Sequence, residues 1–210
     1  MKIRQRTGDR PESARDRIIA TAAELFHNNG YNATGIDQIL KAARATKGSF
    51  HHHFGSKKEI ALAVIKEIVA PKFNRRMIDP VVHAPKPLHA IRQVIRHLRT
   101  QGSTDDLLTG CPINNLSSEL ALQDRKIQSS LSALFDRWQD EWAKALGSRS
   151  DLEAQTGFKS ARQLALYIVA TIEGAQAMAK AQQSREPLDA VLKHLEATLR
   201  RLENYARRQA

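Results

Sequence analysis

The chain has a single cysteine, Cys111, so no intrachain disulfide can form, and no Cys/His grouping has the spacing of a zinc site. Aromatic residues are scarce at 5%, and no alternating apolar–polar stretch is long enough to make a strand. Long apolar runs are absent as well. The longest largely apolar stretch, Leu164 to Ile172, has nine residues, whereas a membrane span needs about 20. The first sixteen residues, MKIRQRTGDRPESARD, contain no apolar signal core, so a cytoplasmic location without a membrane partner is expected. Acidic residues are outnumbered: 22 Asp+Glu stand against 33 Lys+Arg, a formal charge of +11. Neither a cofactor motif nor a catalytic constellation is visible, so no enzymatic activity is expected.

What remains favours helix. With 210 residues and 41% hydrophobic content the chain can bury one core or two small ones, and its Ala, Leu, Gln, Lys and Arg are good helix formers. The expected fold is all-α with about nine helices. Residues 1–12 read as a flexible basic arm. A first helix runs from about Ser13 to Asn28 and is stopped at Asn29-Gly30. Thr34 is the expected cap of a second helix, Thr46 that of a short third ending at His53, and Ser56 with Glu59 a capping box for a fourth. Pro71, and three prolines between Asp79 and Pro87, suggest a loop between a domain over 13–73 and a larger one over 74–210. Five further helices are expected at about 88–101, 113–123, 125–146, 158–183 and 187–207.

Two short helices around the turn Ala43-Arg44-Ala45 describe a helix-turn-helix. On a wheel of the second, Phe50 and Phe54 fall on one side and must pack inward. Gly48 and His52 lie opposite, flanked by Ser49 and His51. Glycine there removes the side chain that would hold the helix off a surface, and the surrounding hydroxyl and imidazole groups suit a DNA major groove. Charge agrees: Asn28 to Lys58 carries five cations and one acid, Asp37. Three consecutive histidines diverge by 100° each on a helix, so they do not converge on a metal ion.

The Thr34–Lys58 stretch, TGIDQILKAARATKGSFHHHFGSKK, resembles the DNA-binding segment of the TetR family of transcriptional regulators, and the likeness covers about residues 13–73. It is carried by Leu25-Phe26, Gly30-Tyr31, Thr34, Ile39, Lys47-Gly48-Ser49-Phe50, His53-Phe54 and Ser56-Lys57. By position the resemblance implies DNA contacts from Thr46, Lys47, Gly48, Ser49, His51, His52 and His53, with phosphate clamps at Thr34 and Lys57. The turn departs from the usual Ala-Gly-Val by reading Ala43-Arg44-Ala45, and position 51 is His where Tyr is usual. The implied partners are double-stranded operator DNA, a second copy of the chain, and a small-molecule effector.

Three features of the second half have two readings each. Gly110-Cys111-Pro112 resembles a Gly-Cys element in a branch of the family where a cysteine senses electrophiles or oxidants. A thiol ahead of a helix start at Pro112 can have its thiolate stabilised, while a buried small hydrophobe is the plainer reading. Trp138 and Trp142 either line a ligand pocket or fill the core. The stripe Leu188, Leu192, Leu195, Leu199, Leu202 is either an internal seam or, as the resemblance favours, a subunit interface. The expected function is a repressor released from a palindromic operator by a ligand or by cysteine modification. A non-specific architectural nucleic-acid binder and a Cys111-dependent enzyme are the alternatives.

Overall fold

A computed structural model describes residues 13–100, 108–147 and 152–209, and the expected arm at 1–12 lies outside them. The described residues form twelve α-helical segments and two π-helical turns, with no strand among them. Three of these segments, Ala70–Phe73, Asp79–Val82 and Leu152–Thr156, are too short to show a period, which accounts for the difference from nine. The chain divides into two compact units between Val64 and Ile65, nine residues ahead of the expected division.

The N-terminal unit holds α1 (Ala14–Asn29), α2 (Ile36–Ala42), α3 (Lys47–His53) and α4 (Lys57–Val64). Ser13 and Asp16 form a capping box on α1, and Gly30, at φ 87°, ends it. Ile18, Ala22 and Phe26 of α1 pack with Ile39, Leu40, Phe50, Phe54 and Ile60 in the core of this unit. Arg17 ties α1 to the turn by donating from Nε to the Ala43 carbonyl at 3.1 Å.

That turn keeps its left-handed bend without glycine: Arg44 sits at φ 50°. A Cβ crowds the following carbonyl in this conformation. Arg44→Gly is therefore expected to stabilise the N-terminal unit by about 0.5–1 kcal/mol. Slower exchange of the Phe50 amide in the full-length protein would show it, and unchanged exchange would deny strain at Arg44.

The C-terminal unit begins with the π-helical turn Ile65–Val69, α5 (Ala70–Phe73), the π-helical turn Asn74–Ile78 and α6 (Asp79–Val82). The expected loop over Asp79–Pro87 thus shrinks to residues 83–86. Pro71 and Pro80 each sit at the start of a helical segment just after a π-turn. A proline ring clashes with the carbonyl four residues back, here within the π-turn, and the wider π geometry relieves the clash without breaking the rod. Then follow α7 (Pro87–Thr100), α8 (Pro112–Leu120), α9 (Arg125–Leu146), α10 (Leu152–Thr156), α11 (Ala161–Gln182) and α12 (Glu186–Gln209).

Helix α12 packs on α7 and α11, and α11 packs on α9. This arrangement overturns the expected role of the leucine stripe. Leu188, Leu192, Leu195, Leu199 and Leu202 are all buried within the single chain, where α7 and α11 cover them. They form an internal seam. Beside them the buried Arg92 of α7 pairs with Glu203 of α12, Arg96 pairs with Glu196, and Arg99 reaches Glu196 at 3.6 Å.

Candidate nucleic-acid interface and effector unit

The face of α3 takes its geometry from both ends. Thr46 caps the helix, its hydroxyl oxygen accepting from the Ser49 N–H at 3.1 Å, which leaves the hydroxyl proton free to donate elsewhere. Phe50 and Phe54 are buried and stacked with ring centroids 6.3 Å apart, which fixes the rotation of the helix. The opposite side then carries exposed Gly48 and His52, flanked by exposed His51 and His53 and half-buried Ser49, while exposed Lys47 stands at the start of the helix on the side of the phenylalanines. Lys57, at the start of α4, holds its ammonium 4.2 Å from the centroid of the Tyr31 ring. Lys47 lies 3.2 Å from Asp37, an exposed pair of little energetic weight that a phosphate can displace.

Thr34 is different. Its side chain is fully buried, and its hydroxyl lies 2.7 Å from the Gly30 carbonyl and 3.3 Å from that of Leu25. Gly35 is the N-cap of α2, with no side-chain cap. The expected cap and phosphate clamp is a pin between the end of α1 and the start of α2, because its hydroxyl donates to the Gly30 carbonyl just past the end of α1.

Gly48 reports on what lies outside the protein. A Cβ built there meets only Thr46 Oγ1, at 3.8 Å. Nothing inside the free chain demands glycine. Gly48→Ala is expected to stabilise the free protein by up to about 1 kcal/mol while weakening DNA binding. A melt and an operator titration of the same variant check this, and a variant that binds DNA as well as the parent would sever Gly48 from the groove.

In the C-terminal unit Cys111 is the N-cap of α8, followed by Pro112, and is buried. The expectation of a stabilised thiolate is reversed here. Burial, then the charge of Glu173 and a hydrogen bond to it, hold the thiol well above its ordinary value, and the N–H groups of Asn114 and Ile113 offset only part of this. Glu173, buried on α11, has its carboxyl pushed up to about 7, mainly by burial, against hydrogen bonds from Cys111 and Asn114. Its Oε2 has no hydrogen-bond partner.

Trp138 and Trp142 are fully buried, edge to face at 5.4 Å, in the core of this unit. Trp142 donates from Nε1 to the Met77 carbonyl at 2.8 Å, whereas the Trp138 N–H has no partner. Sequence reasoning missed Glu173, Arg92, Glu196 and Glu203. A signal existed for the last two: glutamates seven residues apart, each following a leucine of the stripe.

Comparison with known proteins now decides the family. Residues 18–64 match bacterial regulatory proteins of the tetR family, and residues 87–194 match the C-terminal domain of LmrA/YxaF-like transcriptional regulators. The chain belongs to the TetR family. It is 28% identical to the HTH-type transcriptional regulator YxaF of Bacillus subtilis over 189 residues, 90% of this chain and 96% of that one. It is 30% identical to the HTH-type transcriptional regulator Rv0196 of Mycobacterium tuberculosis over 199 residues, 88% and 93% of the respective chains. A TetR transcriptional regulator from Chloroflexus aurantiacus has a crystal structure that superposes with a TM-score of 0.73 at 28% identity, covering 88% of this chain and 92% of that one. As a TetR regulator the protein binds DNA to control transcription, and no helix among its described residues is long and apolar enough to cross a membrane.

Proposed function

We propose that the protein is a cytoplasmic homodimeric repressor that holds a palindromic operator with α3 of each subunit and lets go when a small molecule occupies the C-terminal unit. The observation that carries this reading is the outer face of α3. Ser49 and the three histidines present hydroxyl and imidazole groups around Gly48, backed by two buried phenylalanines. Ser49, His51, His52 and His53 read base edges, while Thr46, Lys47 and Lys57 hold phosphates.

Lys57→Ala is expected to weaken all DNA sequences alike and to flatten the log–log salt dependence by about one unit. Changes at Ser49 or His52 shift which operators are preferred. Footprinting decides against an architectural role: a single protected palindrome with half-sites about 34–36 Å apart supports the repressor, and diffuse coverage refutes it.

The exposed side of α11 supplies the dimer seam. Leu166, Ala170, Gly174, Ala177, Met178 and Ala181 share one arc of that helix, all exposed and uncharged. Small residues there allow a partner helix to approach closely. Ala170→Glu with Ala177→Glu leaves the subunit core untouched but sets carboxylates in the seam, so a stable monomer is expected in sedimentation. A dimeric variant would move the interface elsewhere. The buried, protonated state of the Cys111 thiol favours a non-covalent effector over cysteine modification.

A further inference from the structure

Three imidazole rings stand side by side on α3, and their chemistry differs from that of the lysines around them. His51, His52 and His53 are all exposed. His51 meets the buried Phe50 ring edge to face at 5.0 Å, whereas His52 and His53 meet each other edge to face, with centroids 4.7 Å apart. An imidazole changes charge between about pH 5 and pH 8. Neutral, each ring offers one donor and one acceptor; protonated, it offers two donors. DNA phosphates only accept, and so do O6 and N7 of guanine.

The free chain offers these rings little counter-charge. Among the described residues no carboxylate forms an ion pair with any of the three. Of the acids on neighbouring α1, α2 and α4, Asp37 lies 3.2 Å from Lys47, Glu59 accepts from the Gly55 N–H at 2.9 Å, and Asp16 closes its capping box with Ser13. Glu24 is exposed on α1. The cations share the sign of an imidazolium. Arg15 lies over the Phe54 ring at 5.7 Å, Lys57 over Tyr31, and Arg17 holds the Ala43 carbonyl, while Lys41 and Arg44 are exposed and Lys58 half-buried. Charging both His52 and His53 therefore sets two positive rings 4.7 Å apart in a segment already rich in cations. DNA reverses that balance, because its backbone surrounds the same rings with negative charge.

We propose that His52 and His53 take up protons when α3 docks on the operator, so that this regulator holds DNA more tightly as pH falls through the imidazole range. The inference rests on reading α3 as the operator-contacting helix. Linkage sets the sign. The complex holds more protons than the free protein, so affinity falls as pH rises, about tenfold per pH unit for each proton taken up. The added charges also displace counterions, so the log–log salt dependence is steeper at low pH by about 0.9 for each proton.

Fluorescence anisotropy tests this with the full-length protein and a labelled duplex of the palindrome that footprinting protects, at constant ionic strength. The parent should bind roughly tenfold or more tightly at pH 6 than at pH 8, with a steeper salt slope at pH 6. Glu173→Gln should keep that difference, because its carboxyl titrates in the other unit. His52→Gln combined with His53→Gln should lose the pH dependence. Calorimetry of the parent in phosphate and in Tris should give binding heats that differ with the heat of buffer ionisation. Equal affinities and salt slopes at the two pH values, or equal heats in the two buffers, overturn the proposal. So does a double variant that binds more weakly than the parent by the same factor at both pH values, which leaves α3 on the operator but puts the protons elsewhere. A double variant indistinguishable from the parent at both pH values takes α3 itself off the operator, and the reading beneath the proposal fails with it.

Discussion

Arg92→Leu is expected to destabilise the C-terminal unit by about 3–5 kcal/mol, because it strands Glu203 in the seam between α7 and α12 without its closest countercharge. Glu196 suffers less, since Arg96 and Arg99 still face it; burial is the largest single influence and raises its carboxyl, but the hydrogen bond and charge of Arg96, with the charges of Arg99 and Arg92, together bring it below the usual range. Urea unfolding followed by tryptophan emission measures the loss in the right place, as both tryptophans lie in this unit. The triple change Arg92→Leu, Glu203→Leu, Glu196→Gln should recover most of it. A single variant with an unshifted midpoint would mean that the pair contributes nothing.

Glu173→Gln is expected to act in the opposite direction. The carboxyl has an ordinary value of 4.5 and sits at about 7 in the folded protein. Between these values the folded chain holds a proton that the unfolded chain has released, so stability falls as pH rises from about 4.5 to about 7 and levels off above. The full penalty, at most about 3 kcal/mol, applies at pH 8. Glutamine keeps an acceptor for the Cys111 thiol and carries no charge. The variant should therefore equal the parent near pH 4, exceed it at pH 8, and lose the slope between. Parallel stability–pH curves for the two proteins would remove the buried charge from the account.

These two residues mark where the sequence stops being readable. Periodicity identified α1, α7, α9, α11 and α12, because each has an apolar face long enough to show a period. The helix-turn-helix was legible from the Thr46 cap and its phenylalanines, down to the outward position of Gly48. Thr34 was misassigned because a threonine before a helix looks the same whether its oxygen accepts from the helix ahead or its hydroxyl donates to carbonyls at the end of the helix behind. The leucine stripe was genuine, but a stripe records only that something covers it. Here α7 and α11 of the same chain provide the cover. Cys111 was read from its place at a helix start, whereas its thiol is held up first by burial and then by the carboxylate of Glu173, 62 positions along on α11. Long-range electrostatics of this kind leaves no local pattern.

The lone cysteine therefore gives the molecule a built-in clock. A thiol reagent cannot reach Cys111 until the start of α8 swings away from α11, so its labelling rate counts openings rather than intrinsic nucleophilicity. With reclosing fast, the ratio of that rate to the rate of a free thiol gives the opening free energy of one named place in the fold. Ligands that tighten the C-terminal unit would slow the clock, and ligands that loosen it would speed it up, with no residue replaced.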